Sequence, residues 1–328
     1  MRLPGVKTLR TVSRWMQARL LGGALILGYH RISAPPEAFP EMFVSPERFG
    51  EHLQVLCKYT HPVSLARLVQ HLRDGSLPAK SVAITFDDGY VDNLHSAKPL
   101  LQKYEVPATV FVCTGYAGKE FWWDEVERLV DCSRNHLLSL HLQLAGKQFP
   151  TKLTNPWSKA DESKVRDEFR RRLYHFLLAL DSDDRNHALD TIRSWSDAPS
   201  DAASPSRAMS FEEMMQLADG ELIELGAHTR NHPMLPRLSP GSQRAEIESN
   251  KRDLERLLGK TVSGFAYPNG GVTESTKRIV RQLGFAYACT SLHNVVRPGS
   301  DLYQLTRFWQ QDVDGNAFLR GLHSWLRM

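Results

Sequence analysis

The chain has 328 residues, of which 41% are hydrophobic and 24% are charged, and this is ordinary for a soluble globular protein of one large or two smaller domains. Its net charge of +4 is too small to predict nucleic-acid binding by the whole chain. No apolar run approaches the ~18 residues of a membrane span. Four scattered cysteines without a CxxC pair indicate reduced thiols in a reducing compartment: Cys57, Cys113, Cys132 and Cys289.

Residues 1–20 are basic and lack any acidic residue, and their apolar side chains recur at helical spacing. Such a basic amphipathic helix either lies on an anionic membrane surface or packs against the bottom of the fold. An organelle transit peptide has a similar composition. The apolar run from Leu20 to Leu27 leads into Gly28 without a cleavage site, so we interpret it as a strand rather than a signal peptide. We therefore expect a cytoplasmic protein, peripheral to the membrane if the arm binds lipid.

The next stretch alternates between strand and helix patterns. Short β-rich apolar runs predict strands over residues 25–29, 82–86 and 108–112, and helices are predicted over 45–58, 64–75 and 95–104. His30 falls at the carboxyl end of the first strand. Strands that alternate with helices in this way favour parallel βα units.

The alternation stops near Gly115, and residues 119–208 are dense in charge and in helix formers. We predict a helical insertion there. The βα rhythm resumes at Ser210 with a capping box completed by Glu213. Further strands are expected near 222–225, 262–266, 285–290 and 303–309, and helices near 239–258, 273–283 and after Asp314. The predicted organisation is an arm over 1–20, a main domain over 21–118 and 209–328, and an insertion over 119–208.

The strand at 82–86 ends in two adjacent carboxylates, Asp87 and Asp88, and then in Gly89. Consecutive side chains of an extended chain point to opposite sides, so we expect different roles for the two acids. One can bind a cation while the other faces a water molecule on it. The alternative is a simple turn after a strand, which is common for Asp-Asp-Gly.

Two histidines, His228 and His232, follow the strand near 222–225. At i and i+4 they would share one face of a helical turn, which suits two imidazoles converging on one cation. Solvated or core histidines explain most such pairs. Here the pair ends a strand, as the two acids do, and barrel chemistry collects at the carboxyl ends of strands. Two histidines and one aspartate are typical of a catalytic metal site with open positions.

Together with the strand-and-turn segment 265–270, these residues resemble the polysaccharide deacetylases, which are the NodB-homology family of carbohydrate esterases (family four). Residues 85–89 match the first motif of the family, residues 228–232 match its His-Ser/Thr-x-x-His motif, and residues 265–270 match the third in a form without arginine. The resemblance implies a deformed (β/α)7 barrel. It also implies a metal-dependent hydrolase that removes N-acetyl groups, or O-acetyl or formyl groups, from a sugar in a polysaccharide or a lipid-linked glycan.

The resemblance also assigns roles to individual residues. It implies that Asp88, His228 and His232 hold a divalent metal, with zinc as the expected ion, and that Asp87 is the general base. Asn269 falls where the family uses a backbone N–H as an oxyanion donor.

The sequence departs from the common family pattern at the arginine that orients the base, which is replaced by Ala266. Arg307 is a candidate substitute, and the alternative is a surface ion pair. The Asp-rich fourth motif is also absent, since the segment 181–184 precedes the histidines and is more typical of a helix cap.

Two histidines are candidates for the general acid. His30 ends the first strand, so barrel geometry points it at the site, and some family members with Tyr-His after an N-terminal strand resemble this chain. His323 lies in an amphipathic C-terminal helix, where a structural histidine is ordinary. We favour His30.

Two other functions fit parts of the sequence. Phosphoryl transfer with Asp87 as the nucleophile leaves the two histidines without a role. A catalytically inactive glycan-binding barrel is the second alternative, although both metal motifs are complete.

Trp122 and Trp123 lie at the start of the insertion. They either form the floor of a sugar-binding site by stacking or pack against the helices of the insertion.

Overall fold

The computed structural model describes residues 23–35, 40–133, 143–144, 147–149, 162–196 and 206–326. The predicted basic arm over residues 1–20 lies outside these residues and stays a prediction. None of the described helices is both long enough and apolar enough to cross a membrane.

The described strands and helices have the following bounds. The strands are β1 Leu25–Tyr29, β2 His61–Pro62, β3 Ser81–Phe86, β4 Ala108–Val112, β5 Gln143–Leu144, β6 Lys147–Gln148, β7 Ile223–Ala227, β8 Gly264–Ala266, β9 Tyr287–Cys289 and β10 Phe308–Trp309. The helices are α1 Pro46–Tyr59, α2 Leu65–Asp74, α3 Lys98–Tyr104, α4 Trp122–Cys132, α5 Glu162–Leu178, α6 Ser182–Ser196, α7 Phe211–Ala218, α8 Pro240–Leu258, α9 Glu274–Gln282 and α10 Gly315–Leu326.

Local capping sets the ends of several helices, as the sequence predicts. The hydroxyls of Ser45, Ser64 and Ser239 accept hydrogen bonds from the first turns of α1, α2 and α8. Ser210 and Glu213 form the predicted capping box of α7. Gly259 ends α8 in the left-handed conformation that favours glycine.

The main sheet consists of parallel strands in the order β10-β1-β3-β4-β7-β8-β9, with β2 paired to β3. Strands β1, β3 and β4 are buried along their whole length, which explains their continuous apolar sequences. Residue 305 bonds to β9, and β10 then pairs with β1, so the sheet curls toward closure. This is the predicted deformed (β/α)7 barrel.

Two predicted elements differ from the structure by more than two residues at one end. Of the strand expected over 303–309, only Phe308 and Trp309 form a β-strand. The first part of this segment is a turn, because the Asp301 carboxylate accepts a hydrogen bond from the N–H of Tyr303. The helix expected over 95–104 begins as a π-helical turn, Asn93–Ala97, before α3. Strands β1, β3, β4 and β8 end where the sequence places them, whereas β7 continues to Ala227.

The chain divides into two compact units, one formed by residues 1–118 and 208–328 and the other by residues 119–207. The second unit contains α4, α5, α6 and the β5–β6 hairpin. Within it, Trp122 is buried and stacks on Tyr174 of α5, which favours a packing role for this tryptophan. The Asp181 carboxylate accepts from the N–H of Asp184 at the start of α6, as a helix cap does.

Candidate active site

The two adjacent carboxylates at the end of β3 face different partners because the backbone changes conformation between them. The N–H of Asp87 donates to the carbonyl of Tyr29 at 3.0 Å and so extends the ladder with β1. Asp88 is left-handed, with φ 71°, and Gly89 follows with φ 80°. A Cβ atom at Gly89 would lie 2.6 Å from Cγ1 of Val112, so this position accepts only glycine without a shift.

Arg307 holds the carboxylate of Asp87 in a two-pronged ion pair. Its Nη1 and Nη2 atoms donate to Oδ1 and Oδ2 of Asp87 at 2.6 and 2.7 Å. Its Nε donates to the carbonyl of Thr290 at 3.0 Å, and Nη1 lies 3.3 Å from Oγ1 of Thr85. Because the Arg307 side chain is fully buried, the alternative of a surface ion pair is wrong.

The ion pair fixes the charge of the buried carboxylate. Burial opposes ionisation of Asp87, but the attraction of Arg307, with a smaller contribution from His228, lowers its pKa to about 2. Burial also disfavours the charged form of Arg307, but the attraction of Asp87 is larger than this effect, so the pKa of the guanidinium is raised. Asp87 is therefore ionised at neutral pH and held in a single orientation.

Asp88, His228 and His232 converge on one point beside this pair. The Nε2 atoms of both histidines lie 3.5 Å from Oδ1 of Asp88, and one potential ligand atom from each residue lies within 4.8 Å of the others. Nδ1 of His228 lies 2.8 Å from the carbonyl oxygen of Ala266, to which it must donate a proton, so Nε2 carries the free lone pair. Two imidazole nitrogens and one carboxylate oxygen in this arrangement fit a zinc-type divalent metal.

The two histidines do not share a helical turn, so that prediction is wrong. Residues 228–232 form a loop in which Thr229 and His232 are left-handed, with φ 63° and 52°. Pro233 disfavours a helical conformation for His232, because its ring clashes with the preceding residue. The N–H of His232 donates instead to Oγ1 of Thr229 at 3.1 Å. Left-handed non-glycine residues cost roughly 1 kcal/mol or more each, so the loop depends on outside partners.

His30, at the carboxyl end of β1, stacks on Trp309 of β10 with ring centroids 4.4 Å apart and an interplanar angle of 13°. The register of the two strands pairs Gly28 with Trp309, and a Cβ atom at Gly28 would lie 2.7 Å from the indole. Arg307 also contacts this indole, 4.5 Å from its centroid. The sequence analysis missed Trp309. The feature of the sequence that could have indicated it is Gly28, which faces the indole across the two strands.

The pKa of His30 is lowered to about 4, mainly because the partly buried ring has lost much of its contact with water. Asp87 opposes this decrease, while Arg307 and His228 add to it. His30 is thus neutral at pH 7 in the free site. These contributions agree with the position of His30 at the end of β1, which pairs with β3, and with its stacking on Trp309.

The other two predicted site residues occupy different environments. His323 is exposed on α10, whose buried residues are Phe318 and Leu322. Asn269 lies in the turn directly after β8 and is left-handed, with φ 53°. It is three residues from Ala266, whose carbonyl oxygen binds His228. The turn therefore begins at the edge of the sheet that carries the ligands.

The sequence profile of the polysaccharide deacetylase family matches residues 74–169 and 194–288, which make up more than half of the chain. The chain belongs to this family.

Individual relatives agree with this assignment. A poly-beta-1,6-N-acetyl-D-glucosamine N-deacetylase of Staphylococcus aureus is 29% identical over 110 residues, which cover 30% of this chain and 38% of that relative. The match thus spans less than half of the relative's length. Among solved structures, IcaB from Ammonifex degensii aligns with a TM-score of 0.60 and 20% identity, covering 94% of this chain and 98% of that one. The deacetylase PplD of Streptococcus pyogenes aligns with a TM-score of 0.59 and 20% identity, covering 93% and 98%. At such identities the structural likeness establishes the fold.

Proposed function

We propose that the protein is a metal-dependent deacetylase that removes N-acetyl groups from a sugar in a polysaccharide or a lipid-linked glycan. One observation carries the proposal: a carboxylate locked by a buried arginine lies beside a three-residue ligand cluster. Oδ2 of Asp87 is 3.8 Å from Nε2 of His228, so base and ligands share one site. The substrate named for the Staphylococcus relative, a poly-N-acetylglucosamine, supports an acetylated amino sugar as the target class.

Asp88, His228 and His232 would hold the metal in this proposal, and zinc suits two nitrogen ligands and one oxygen ligand. When bound, such an ion supplies Lewis acidity, which lowers the pKa of a coordinated water to ~7. The open positions of a three-ligand site leave room for water and substrate. The hydrogen bond from His228 to Ala266 keeps the ring oriented with Nε2 toward Asp88.

Asp87 acts as the general base, and Arg307 is its positioning residue. With a pKa of about 2, Asp87 is ionised and ready to accept a proton at neutral pH. It is also a weak base, so it would need a proton donor more acidic than bulk water, and a bound divalent metal would supply that acidity. The fork of Arg307 keeps both carboxylate oxygens at fixed positions while the proton is transferred.

His30 acts as the general acid, and the backbone N–H of Asn269 stabilises the oxyanion. His30 is neutral in the free site, so its proton must arrive during the reaction. Negative charge that develops on the substrate carbonyl raises the pKa of a neighbouring imidazole. His30 can then take up the proton that Asp87 accepted and deliver it to the leaving amine.

The two alternatives are less well supported. Phosphoryl transfer with Asp87 as the nucleophile would leave the cluster of Asp88, His228 and His232 without a role, although the three residues converge on one point. A barrel that only binds glycans does not need the ion pair of Arg307 and Asp87. Burying two charges carries a desolvation cost, and in a binding protein no catalytic role would offset it.

The direct test is acetate release from β-1,6-linked N-acetylglucosamine oligomers. We expect release by the zinc-loaded protein, loss of release after treatment with a chelator, and recovery when zinc is restored. Oligomers that carry O-acetyl or N-formyl groups serve as comparison substrates. Glycan binding without any acetate release would favour the binding-barrel alternative, and release that is insensitive to the chelator would contradict the metal-dependent mechanism.

A further inference from the structure

The metal-binding loop, residues 228–232, rests against helix α8, and Glu246 of this helix binds its backbone. Oε2 of Glu246 accepts from the N–H groups of Arg230 and Asn231 at 3.1 and 2.9 Å. Oε1 accepts from Nδ2 of Asn231 at 2.8 Å. Both backbone donors lie between the two histidines in sequence, so this carboxylate holds the middle of the loop together with the backbone carbonyl of Glu246, which lies 3.2 Å from the Arg230 nitrogen.

Asn250, one turn further along α8, binds the backbone of the first histidine. Its Oδ1 accepts from the N–H of His228 at 3.0 Å. Its Nδ2 donates to the carbonyl of Val112 at 3.0 Å and to Oγ1 of Thr114 at 3.1 Å. Asn250 is fully buried, so these bonds have no competition from water. The residue therefore ties His228 to the end of β4.

The opposite side of the loop contacts Gly115. The N–H of Gly115 donates to the carbonyl of Arg230 at 2.8 Å, and a Cβ atom at this position would lie 2.3 Å from Oδ1 of Asn231. The loop is thus confined between Gly115 and α8. Glu246 and Asn250 are spaced i and i+4, which places them on the same face of the helix.

We propose that Glu246 and Asn250 are positioning residues that set the affinity for the metal by holding the loop in its ligand-binding conformation. The inference rests on the proposed metal site. Thr229 and His232 adopt a conformation that non-glycine residues disfavour, so the isolated loop would spend little time with both imidazoles aimed at Asp88. Partners outside the ligand set that orient metal ligands typically contribute 10- to 100-fold in affinity.

The test is the dissociation constant for zinc, measured by competition with a chromophoric chelator, in the full-length protein. We expect Glu246→Ala and Asn250→Ala to bind zinc about 10- to 100-fold more weakly. Glu246→Gln keeps an oxygen acceptor and should recover most of the affinity. If Asn250→Ala does not fold, the comparison of Glu246→Ala with Glu246→Gln decides the question. Both of these variants should fold, since Glu246 is only partly buried.

Two control variants on the same helix separate positioning from stability. Glu248 is exposed, and Glu248→Ala should bind zinc as the wild type does. Gln243 is buried and bonds to Leu238 and Thr276, away from the loop, so Gln243→Ala should lower the melting temperature and leave the zinc affinity unchanged.

The inference is overturned if Glu246→Ala binds zinc as tightly as the wild type, or if Gln243→Ala weakens binding as much as Glu246→Ala does. Failure of the wild type itself to bind zinc would be a different result. It would overturn the proposed metal site, and the inference would fall with it.

Discussion

Asp87 and Asp88 are neighbours in sequence but belong to different parts of the site. Asp87 is neutralised by the buried Arg307, whereas Asp88 faces two imidazole nitrogens. The left-handed conformation of Asp88 separates the two carboxylates at the end of the strand. In the proposed mechanism, one dipeptide therefore supplies both an oriented base and a metal ligand.

Replacing Arg307 tests how far the orientation of the base matters. Arg307→Lys keeps the charge but cannot bond both oxygens of Asp87, so the carboxylate can rotate. We expect kcat to fall about 100-fold, the scale of a small misplacement in an active site. The pKa of Asp87 should rise with the weaker pairing, which moves the acidic limb of the kcat/KM profile to higher pH. The exposed Arg297→Lys is the control, and a wild-type rate for Arg307→Lys would refute the positioning role.

Replacing His30 tests the general acid. We expect His30→Ala to retain the metal and to lose about 10²- to 10⁴-fold in kcat, the usual contribution of a positioned acid. His323→Ala should behave as wild type, because that side chain is exposed on α10. Steady-state kinetics with metal analysis of the same samples decide the matter. A dead His323→Ala beside an active His30→Ala would reverse the assignment.

Sequence reasoning placed the site residues more successfully than it explained their geometry. The strand-end position of Asp88 and of the histidine pair, together with the family motifs, indicated one shared site. The partner of Asp87 stayed open between two interpretations, because Arg307 is 220 residues away in sequence and meets Asp87 only when the sheet curls. Trp309 was missed for the same reason, since its contact with His30 depends on the register of two distant strands.

At the scale of elements, the register between β1 and β10 links His30 to the ion pair of Arg307 and Asp87. Trp309 contacts both His30 and Arg307, and Gly28 makes room for the indole. The pairing of these two strands thus places one indole against both His30 and the arginine that binds Asp87.

Gly28→Ala tests this arrangement. The added Cβ would come within 3.0 Å of three indole carbons, which must shift with the strand. We expect a loss of about 1–3 kcal/mol in the free energy of unfolding, typical of overpacking, together with a fall in kcat. Gly241→Ala in the exposed first turn of α8 is the matched control, where an added Cβ meets nothing closer than 3.9 Å. Unchanged stability and turnover in Gly28→Ala would contradict the account.

Helices and strands were largely predictable, because caps and apolar runs are local signals. The bounds of β1 and β4 and the capped start and end of α8 agree with the prediction. The helical turn over residues 228–232 was wrong, since spacing alone ignored Pro233 and the bonds from α8. Loop conformation is set by such tertiary partners, which a periodic pattern does not contain.

At the scale of the whole molecule, His52 joins the barrel to its last helix. It is fully buried in α1, with Nε2 2.9 Å from the carbonyl of Val313, and it stacks on Phe318 of α10. Burial lowers its pKa to about 4, against a smaller opposing effect of the Val313 hydrogen bond. The folded protein therefore holds this histidine neutral at a pH where the unfolded chain protonates it.

This difference predicts a loss of stability in mild acid. A histidine with a lowered folded-state pKa contributes its stability above pH ~6.5, and this is lost as the pH falls toward 4. For His52 the free energy of unfolding should drop by about 2 kcal/mol between pH 7 and pH 5. Urea denaturation of the metal-free protein measures the drop, which should be smaller in His52→Gln. An equal drop in both proteins would show that His52 is not responsible.

The central claim is that one carboxylate of the Asp87–Asp88 pair is the base and the other is a metal ligand. The most direct test is zinc content and acetate release measured together in Asp87→Asn and Asp88→Asn. We expect Asp87→Asn to bind one zinc ion per chain with most of its turnover lost, because a base is removed and a ligand is kept. Asp88→Asn should lose zinc and activity together. Zinc retained in Asp88→Asn but lost in Asp87→Asn would contradict the account.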